Sequence, residues 1–240
     1  TTSPANDCHV YYRRKFTLLD LEREGCMERK KNLSDQYARW FLVATYLLGL
    51  TGHSFEESRG LMIFLTPLVL LISSLVVCYP VMKNAKSTTI MWCSISFVLT
   101  FFAEVIGVKS GLIFGNYAYG EVLGLKILEV PLIIGINWML IMLGSISLAQ
   151  FLTKNVYLTA LVAGLFSVLF DIILEPVAIS LGYWQWSTIS PPLSNYYSWF
   201  VIVFLLTMLY VKLKVHVDSS LPRFYLFVQT VFFLSLNVVL

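Results

Sequence analysis

Two carboxylic acids one helical turn apart in an apolar segment are the most unusual feature of this sequence. Asp171 and Glu175 are four residues apart, so a helix would place both side chains on one face. Ala160, Gly164 and Ser167 continue that face with small side chains, which let a neighbouring helix approach closely. The pair is therefore predicted to point into a helix bundle and away from lipid.

Three further polar residues, Glu104, Glu129 and Asn137, lie in or beside other apolar segments. An ionisable group at the middle of a membrane span costs about 2.5–3.5 kcal/mol on insertion scales, so such groups often mark functional sites. Glu129 is expected at the start of its span, where a carboxylate can instead reach the interface. Asn137 fits either a contact between helices or a site residue.

A pair of carboxyls in a low-dielectric pocket is suited to general acid catalysis. Like charges this close resist ionising together, so one carboxyl is expected to keep its proton near neutral pH and to donate it. Nearby aromatic rings would stabilise a cation through their negative faces. This chemistry fits protonation of an alkene, followed by capture of the carbocation by water or by an internal double bond. The same acids could instead carry protons in a transporter, and the residues alone leave both open.

The composition predicts an all-α fold, a polytopic membrane helix bundle. Of the 240 residues, 58% are hydrophobic and 13% charged, and the mean hydropathy is +0.75, whereas a soluble domain carries about 25% charged residues. Residues 1–36 are predicted to form a polar cytoplasmic extension and residues 37–240 the transmembrane domain. About seven spans are expected, near 37–52, 61–82, 88–108, 127–152, 156–181, 196–211 and 223–240.

The placement of lysine and arginine predicts a cytoplasmic N-terminus and an outer C-terminus. In this orientation only Arg59, Lys109 and Lys126 fall on the outer side, which leaves 14 of the 17 basic residues inside. The unusual polar residues of the third, fourth and fifth spans then all lie in the outer half. The aromatic-rich loops near 114–119 and 183–199 are outer as well, so one outward site is expected.

No cofactor, metal or nucleic-acid partner is predicted. The chain has no glycine-rich phosphate loop and no dinucleotide fingerprint, and its histidines form no H-x-x-x-H pattern. The cysteines lack C-x-x-C spacing and are expected to be free thiols; they are Cys8, Cys26, Cys78 and Cys93. His53, Glu56 and Glu57 are expected in a solvated loop.

The stretch from Glu104 to Tyr119 reads E-V-I-G-V-K-S-G-L-I-F-G-N-Y-A-Y. It resembles the E-x-x-G-x-x-x-G-x-x-F-G-x-Y-x-Y signature of a membrane family in carotenoid biosynthesis, the carotenoid 1,2-hydratases, which include bisanhydrobacterioruberin hydratase. Further matches follow in the same order over roughly residues 40–215. They are Val130-Pro131, Asn137-Trp138, residues 171–178, Trp184-Gln-Trp186, Pro192, Asn195-Tyr196 and Trp199.

The resemblance implies cofactor-independent hydration of the terminal double bond of an acyclic carotenoid, giving a tertiary alcohol at C1. Its substrate would be a lipophilic carotenoid or other isoprenoid, taken from membrane lipid. Other enzymes of the same pathway are candidate partners. The family also implies a multi-pass protein of a bacterial or archaeal cytoplasmic membrane.

In this scheme Asp171 or Glu175 protonates C2, and Glu104 positions or deprotonates the water that attacks C1. Asn137 and Asn195 hold the water or orient an acid. The remaining substrate-binding residues would line the pocket and stabilise the cation; they are Tyr117, Tyr119, Trp138, Trp184, Trp186, Tyr196 and Trp199.

Two alternatives are a second type of enzyme and a non-enzymatic transporter or carrier. A lycopene-cyclase-type membrane enzyme uses the same protonation but captures the cation with an alkene. Enzymes of that type contain a P-x-E-E pattern. In this sequence the proline follows the glutamate, in Leu174-Glu175-Pro176, so the order differs. A proton-coupled transporter would show paired half-repeats, which the sequence lacks, and a carotenoid-binding carrier would leave the mass of its ligand unchanged.

Overall fold

Seven helices make up nearly all of the regular structure in the computed structural model, which describes residues 18–83 and 85–240, with side chains from residue 34 onward. They are α1 (Leu18–Ser54), α2 (Glu56–Lys83), α3 (Ser87–Ser110), α4 (Leu132–Leu152), α5 (Val156–Ser180), α6 (Leu193–Lys212) and α7 (Leu221–Val239). Helices α2 to α7 are long and apolar enough to cross a membrane. The predicted all-α, multi-pass membrane bundle is confirmed.

Helix α1 differs from the predicted first span. Helix α1, which contains the apolar stretch at 37–52, is not among the helices that are long and apolar enough to cross a membrane. It nevertheless packs against α2 and α7. The boundary predicted at residue 36 falls within α1. Residues 1–17 of the predicted extension, including Cys8, lie outside the described residues; Cys78 and Cys93 are free thiols.

Helix α4 begins five residues later than the predicted fourth span. Its N-cap residue Pro131 has extended backbone, and the preceding residues form a hairpin of β2 (Lys126–Ile127) and β3 (Val130–Pro131). Glu129 lies in the hairpin turn at φ 71° and is exposed. The prediction that Glu129 starts a span is therefore wrong, because a tight turn ends the apolar run before the helix.

The middle of the bundle is α4, which is buried along most of its length and packs against α2, α3, α5 and α7. Gly144 lets α7 pack closely against α4, because a Cβ atom at this position would lie 2.6 Å from the carbonyl oxygen of Pro222 in α7. Gly164 of α5 likewise faces the Phe200 ring of α6, and Ser167 donates a hydrogen bond to Ser145 of α4 at 3.0 Å. The small-residue face of α5 thus points into the bundle, as its spacing predicts.

A two-stranded sheet joins the α3–α4 and α5–α6 connections at one end of the bundle. Strands β1 (Tyr117–Tyr119) and β4 (Trp184–Trp186) pair antiparallel, with Tyr117 opposite Trp186 and Tyr119 opposite Trp184. Alternate residues of a strand share a face, so all four aromatic side chains lie on the same side of this sheet. The intervening Ala118 and Gln185 are exposed.

The Gly120→Ala variant tests the close contact that holds the two connections together. A Cβ atom at Gly120 would clash with the backbone oxygen of Gly182, and overpacking of this kind costs about 1–3 kcal/mol. We expect a lower melting temperature in detergent micelles. Gly60→Ala is the matched control, because nothing lies within 4 Å of a Cβ there and alanine favours a helix. Equal melting temperatures for the two variants would contradict the packing described.

Candidate active site

A small cavity lies beneath the β1–β4 sheet, among helices α2 to α7. It has a volume of about 50 Å³, room for a few water-sized groups. All three carboxylates, both asparagines and every aromatic residue proposed from the sequence line it, except Tyr196. The structure thus brings together residues from five segments far apart in the chain, while the roles proposed for them stay predictions.

The acid pair lies on the cavity side of α5 and shares one amide. Asp171 is 2% exposed and Glu175 3%. Asn195, in the first turn of α6, donates from Nδ2 to Asp171 Oδ2 at 2.7 Å and lies 3.4 Å from Glu175 Oε1. One amide therefore contacts both carboxyls and fixes them side by side.

The two carboxyls of the pair have different surroundings. Trp184 and Trp186, on one face of β4, each donate an indole N–H to Glu175 Oε2 at 3.0 Å. With Asn195, Glu175 receives three donors, whereas Asp171 receives one. Donated hydrogen bonds favour the ionised form of a carboxyl. The geometry thus favours Glu175 as the anion and Asp171 as the holder of the shared proton.

Glu104 reaches the same cavity from α3. It is 4% exposed and accepts a hydrogen bond at Oε2 from the Tyr117 hydroxyl. Burial, followed by the nearby charge of Glu104, raises the pKa of Tyr117 above its ordinary value. The phenol therefore keeps its proton and acts as a donor that holds the Glu104 carboxylate in place.

The glycines of the 104–119 motif are required by the turn that brings β1 back over α3. Gly111 caps α3 at φ 66° and Gly115 has φ 110°, both in the left-handed region that disfavours other residues. Gly107 lies against the Phe114 ring, and a Cβ there would be 3.1 Å from the Tyr117 hydroxyl. The motif thus places Tyr117 on Glu104.

Aromatic rings form much of the remaining wall. The Trp138 and Trp199 rings stack with centroids 3.6 Å apart, and Tyr117 lies against Trp186 at 4.9 Å. Rings of this kind present negative faces that stabilise a cation. The cavity therefore combines an acid pair, a third carboxylate and rings suited to a developing positive charge.

A second polar group reaches the cavity from α4 and α7. Asn137 Oδ1 accepts from the Tyr225 hydroxyl at 3.1 Å and from Gln229 Nε2 at 3.2 Å. Gln229 is fully buried, and its Oε1 has no hydrogen-bond partner among the described residues. Gln229 was not among the residues proposed from the sequence. Its presence inside an apolar span was the available signal, since polar residues in spans mark candidate sites.

The prediction of a solvated loop for His53 is wrong. His53 is 4% exposed at the end of α1, its Nδ1 lies 2.7 Å from the carbonyl oxygen of Gly49, and its ring packs on Phe232. Glu56 and Glu57 are exposed as expected, in the first turn of α2.

Among the side chains that the structure describes, those of residues 34–83 and 85–240, no group of three or more His, Cys, Asp or Glu is arranged to hold a metal ion.

Comparison with known proteins gives a family match over most of the chain. A family model described as carotenoid biosynthesis protein matches residues 65–240. No curated protein and no solved structure matches the chain. The match starts and ends later than the resemblance over residues 40–215, and it includes every residue proposed for the site.

Proposed function

Because the chain belongs to the carotenoid biosynthesis protein family and acts in that pathway, we propose that it is a carotenoid 1,2-hydratase. It adds water across the terminal double bond of an acyclic carotenoid end group. The observation that carries this proposal is the buried Asp171–Glu175 pair, joined by Asn195 in a cavity that also contains Glu104.

The first step is protonation of the alkene by Asp171. The π electrons of the double bond form a C–H bond at C2, and C1 becomes a tertiary cation. Glu175 offsets this charge as a carboxylate held by three donors. The Trp138 ring, which lines the cavity and is held by stacking on Trp199, adds cation–π stabilisation.

The second step is capture of the cation by water. A water oxygen forms the bond to C1, and Glu104 takes the proton that this water releases. Tyr117 holds the Glu104 carboxylate toward the cavity. The proton then returns from Glu104 to Asp171 through cavity water, so each cycle consumes one alkene and one water.

The polar side of the cavity supports capture by water over capture by an alkene. Gln229 Oε1 is buried without a partner among the described residues, and Asn137 lies beside it. Asn137 and Gln229 both line the cavity, and polar side chains that border a cavity of this size can bind a water molecule. A cyclase must instead fold its substrate so that an internal alkene reaches C1, and a cavity of about 50 Å³ leaves little space for that.

Mass spectrometry of carotenoids from a lycopene-producing bacterial host tests this proposal. Cells expressing the protein should accumulate carotenoid heavier by one water per modified end, and cells expressing Asp171→Asn with Glu175→Gln should not. Unchanged mass with a shifted absorption spectrum would indicate a cyclase. Unchanged mass and spectrum, with the protein present in the membrane, would contradict a hydratase acting on this substrate.

The Tyr117→Phe variant tests how Glu104 is held. The ring remains, but the hydroxyl that bonds the carboxylate is lost. A hydrogen bond to a charged group contributes about 1.5–3 kcal/mol, so we expect the hydration rate to fall by roughly 10- to 100-fold. Tyr197→Phe is the matched control, since Tyr197 is 71% exposed. An unchanged rate in Tyr117→Phe would remove this hydroxyl from the mechanism.

A further inference from the structure

We propose that an apolar groove between α1, α2 and α7 binds the linear isoprenoid chain of the substrate while its end group occupies the acid cavity. This inference rests on the proposed function, because it assigns the substrate a hydrocarbon chain. The groove has a volume of about 400 Å³, within the range of roughly 300–1,000 Å³ typical of ligand pockets. Thr45, Leu48, Gly49, Leu65, Val69 and Phe232 are among its walls.

The groove adjoins the acid cavity directly. Leu70 of α2, Phe233 of α7 and Tyr183 of the α5–β4 connection line both spaces. The Tyr183 hydroxyl lies 3.5 Å from the Thr66 hydroxyl of α2. These three shared side chains separate the two spaces, and a chain passing between them would carry its end group to Asp171.

The size of the acid cavity requires a second compartment. A volume of about 50 Å³ accommodates a few water-sized groups, which suffices only for the reacting end. The rest of a long hydrocarbon must lie elsewhere. Two other cavities, of about 450 and 460 Å³, share no wall residue with the acid cavity, so the groove is the better-placed compartment.

The groove also faces the side from which a hydrocarbon would arrive. Leu48, on its rim, is 70% exposed, and α2 is the least buried of the six membrane-spanning helices. A lipophilic chain dissolved in the bilayer can therefore enter sideways between α1 and α2. Transfer from lipid to this wall exposes no apolar surface to water.

Photo-crosslinking tests which face of α1 contacts the chain. A photoreactive benzoylphenylalanine replaces Leu48 on the groove rim or Leu47, which is 56% exposed and outside the groove. The full chain is placed in lipid vesicles containing lycopene and irradiated. We expect a lycopene adduct at position 48, at least about tenfold more abundant than at position 47. Equal labelling at both positions, or none at position 48, would overturn the proposal.

A groove-filling variant provides a second, independent measurement. Val69→Trp places a large ring in the groove. Leu68→Trp is the matched control, because Leu68 lies outside the groove and is 51% exposed. With both proteins monodisperse, lycopene retained through purification should fall at least about tenfold in Val69→Trp only. Unchanged retention in Val69→Trp would overturn the proposal.

The two measurements separate this inference from the proposed function. Labelling at position 48 without any water addition to lycopene would support the groove and contradict the hydratase. Water addition that proceeds at the normal rate in Val69→Trp would support the hydratase and overturn the groove.

Discussion

The Asp171→Asn variant is expected to lower the rate of water addition by roughly 100- to 10,000-fold, the range that a general acid contributes. Asparagine keeps the shape of the side chain and an oxygen that can accept from Asn195, but it has no acidic proton for the alkene. The measurement is the initial rate of hydrated lycopene formation by purified protein in lipid vesicles, followed by liquid chromatography and mass spectrometry.

Asp218→Asn is the matched control for this variant. Asp218 is an exposed residue of the α6–α7 connection, paired with His216 at 2.6 Å and away from the cavity. We expect it to retain the full rate. An Asp171→Asn enzyme that keeps the full rate would refute Asp171 as the proton donor. If Asp171→Asn keeps the rate and Glu175→Gln loses it, Glu175 is the proton donor instead.

The Glu104→Gln variant is expected to lower the rate of water addition by a similar factor, roughly 100- to 10,000-fold, because it blocks a different step. Glutamine keeps an acceptor for the Tyr117 hydroxyl but cannot take the proton that the attacking water releases. Because Asp171 is intact, the cation still forms and collapses back to alkene. In deuterated water Glu104→Gln should therefore exchange hydrogen at the end group of the substrate, whereas Asp171→Asn should not.

Glu121→Gln is the matched control on the α3–α4 connection. The Glu121 side chain is 92% exposed and pairs with Lys126 at 2.8 Å, so its loss should leave the rate unchanged. If Glu104→Gln hydrates lycopene at the normal rate, another group activates the water. If it shows neither hydration nor exchange, Glu104 acts before the cation forms, which contradicts the order of steps proposed.

The helices could be predicted largely from apolar length, because a bilayer requires long apolar segments with internally bonded backbone. The start of α4 could not, because Ile127, Leu128 and Val130 are apolar and extend the hydrophobic segment upstream of the helix. There the turn at Glu129 and the extended backbone of Pro131 override hydropathy. His53 was wrongly predicted to lie in a solvated loop because it is polar. In the folded protein Phe232 of α7 packs against its ring, a tertiary contact that the local sequence does not indicate.

The acid pair could be predicted because its spacing and its small-residue face lie within one helix. The bonds from Trp184 and Trp186 to Glu175 could not, because they depend on pairing between β1 and β4. That pairing joins segments more than 60 residues apart in the chain.

Local geometry also explains why Tyr196, which was predicted to line the cavity, does not. Asn195 and Trp199 are four residues apart on one face of α6 and line the cavity. Tyr196 follows Asn195 and is turned about 100° around the helix, away from that face. Helical periodicity over residues 195–199 was therefore sufficient to predict that Tyr196 does not line the same cavity as Asn195 and Trp199.

Hydration in isotopically labelled water tests the central claim most directly. Purified wild-type protein in lipid vesicles is given lycopene in water that carries the heavy oxygen isotope, and in parallel in deuterated water. The mechanism predicts one heavy oxygen at C1 of each modified end and one deuterium at C2. A product whose new oxygen is unlabelled, or a substrate recovered with unchanged mass, would contradict it.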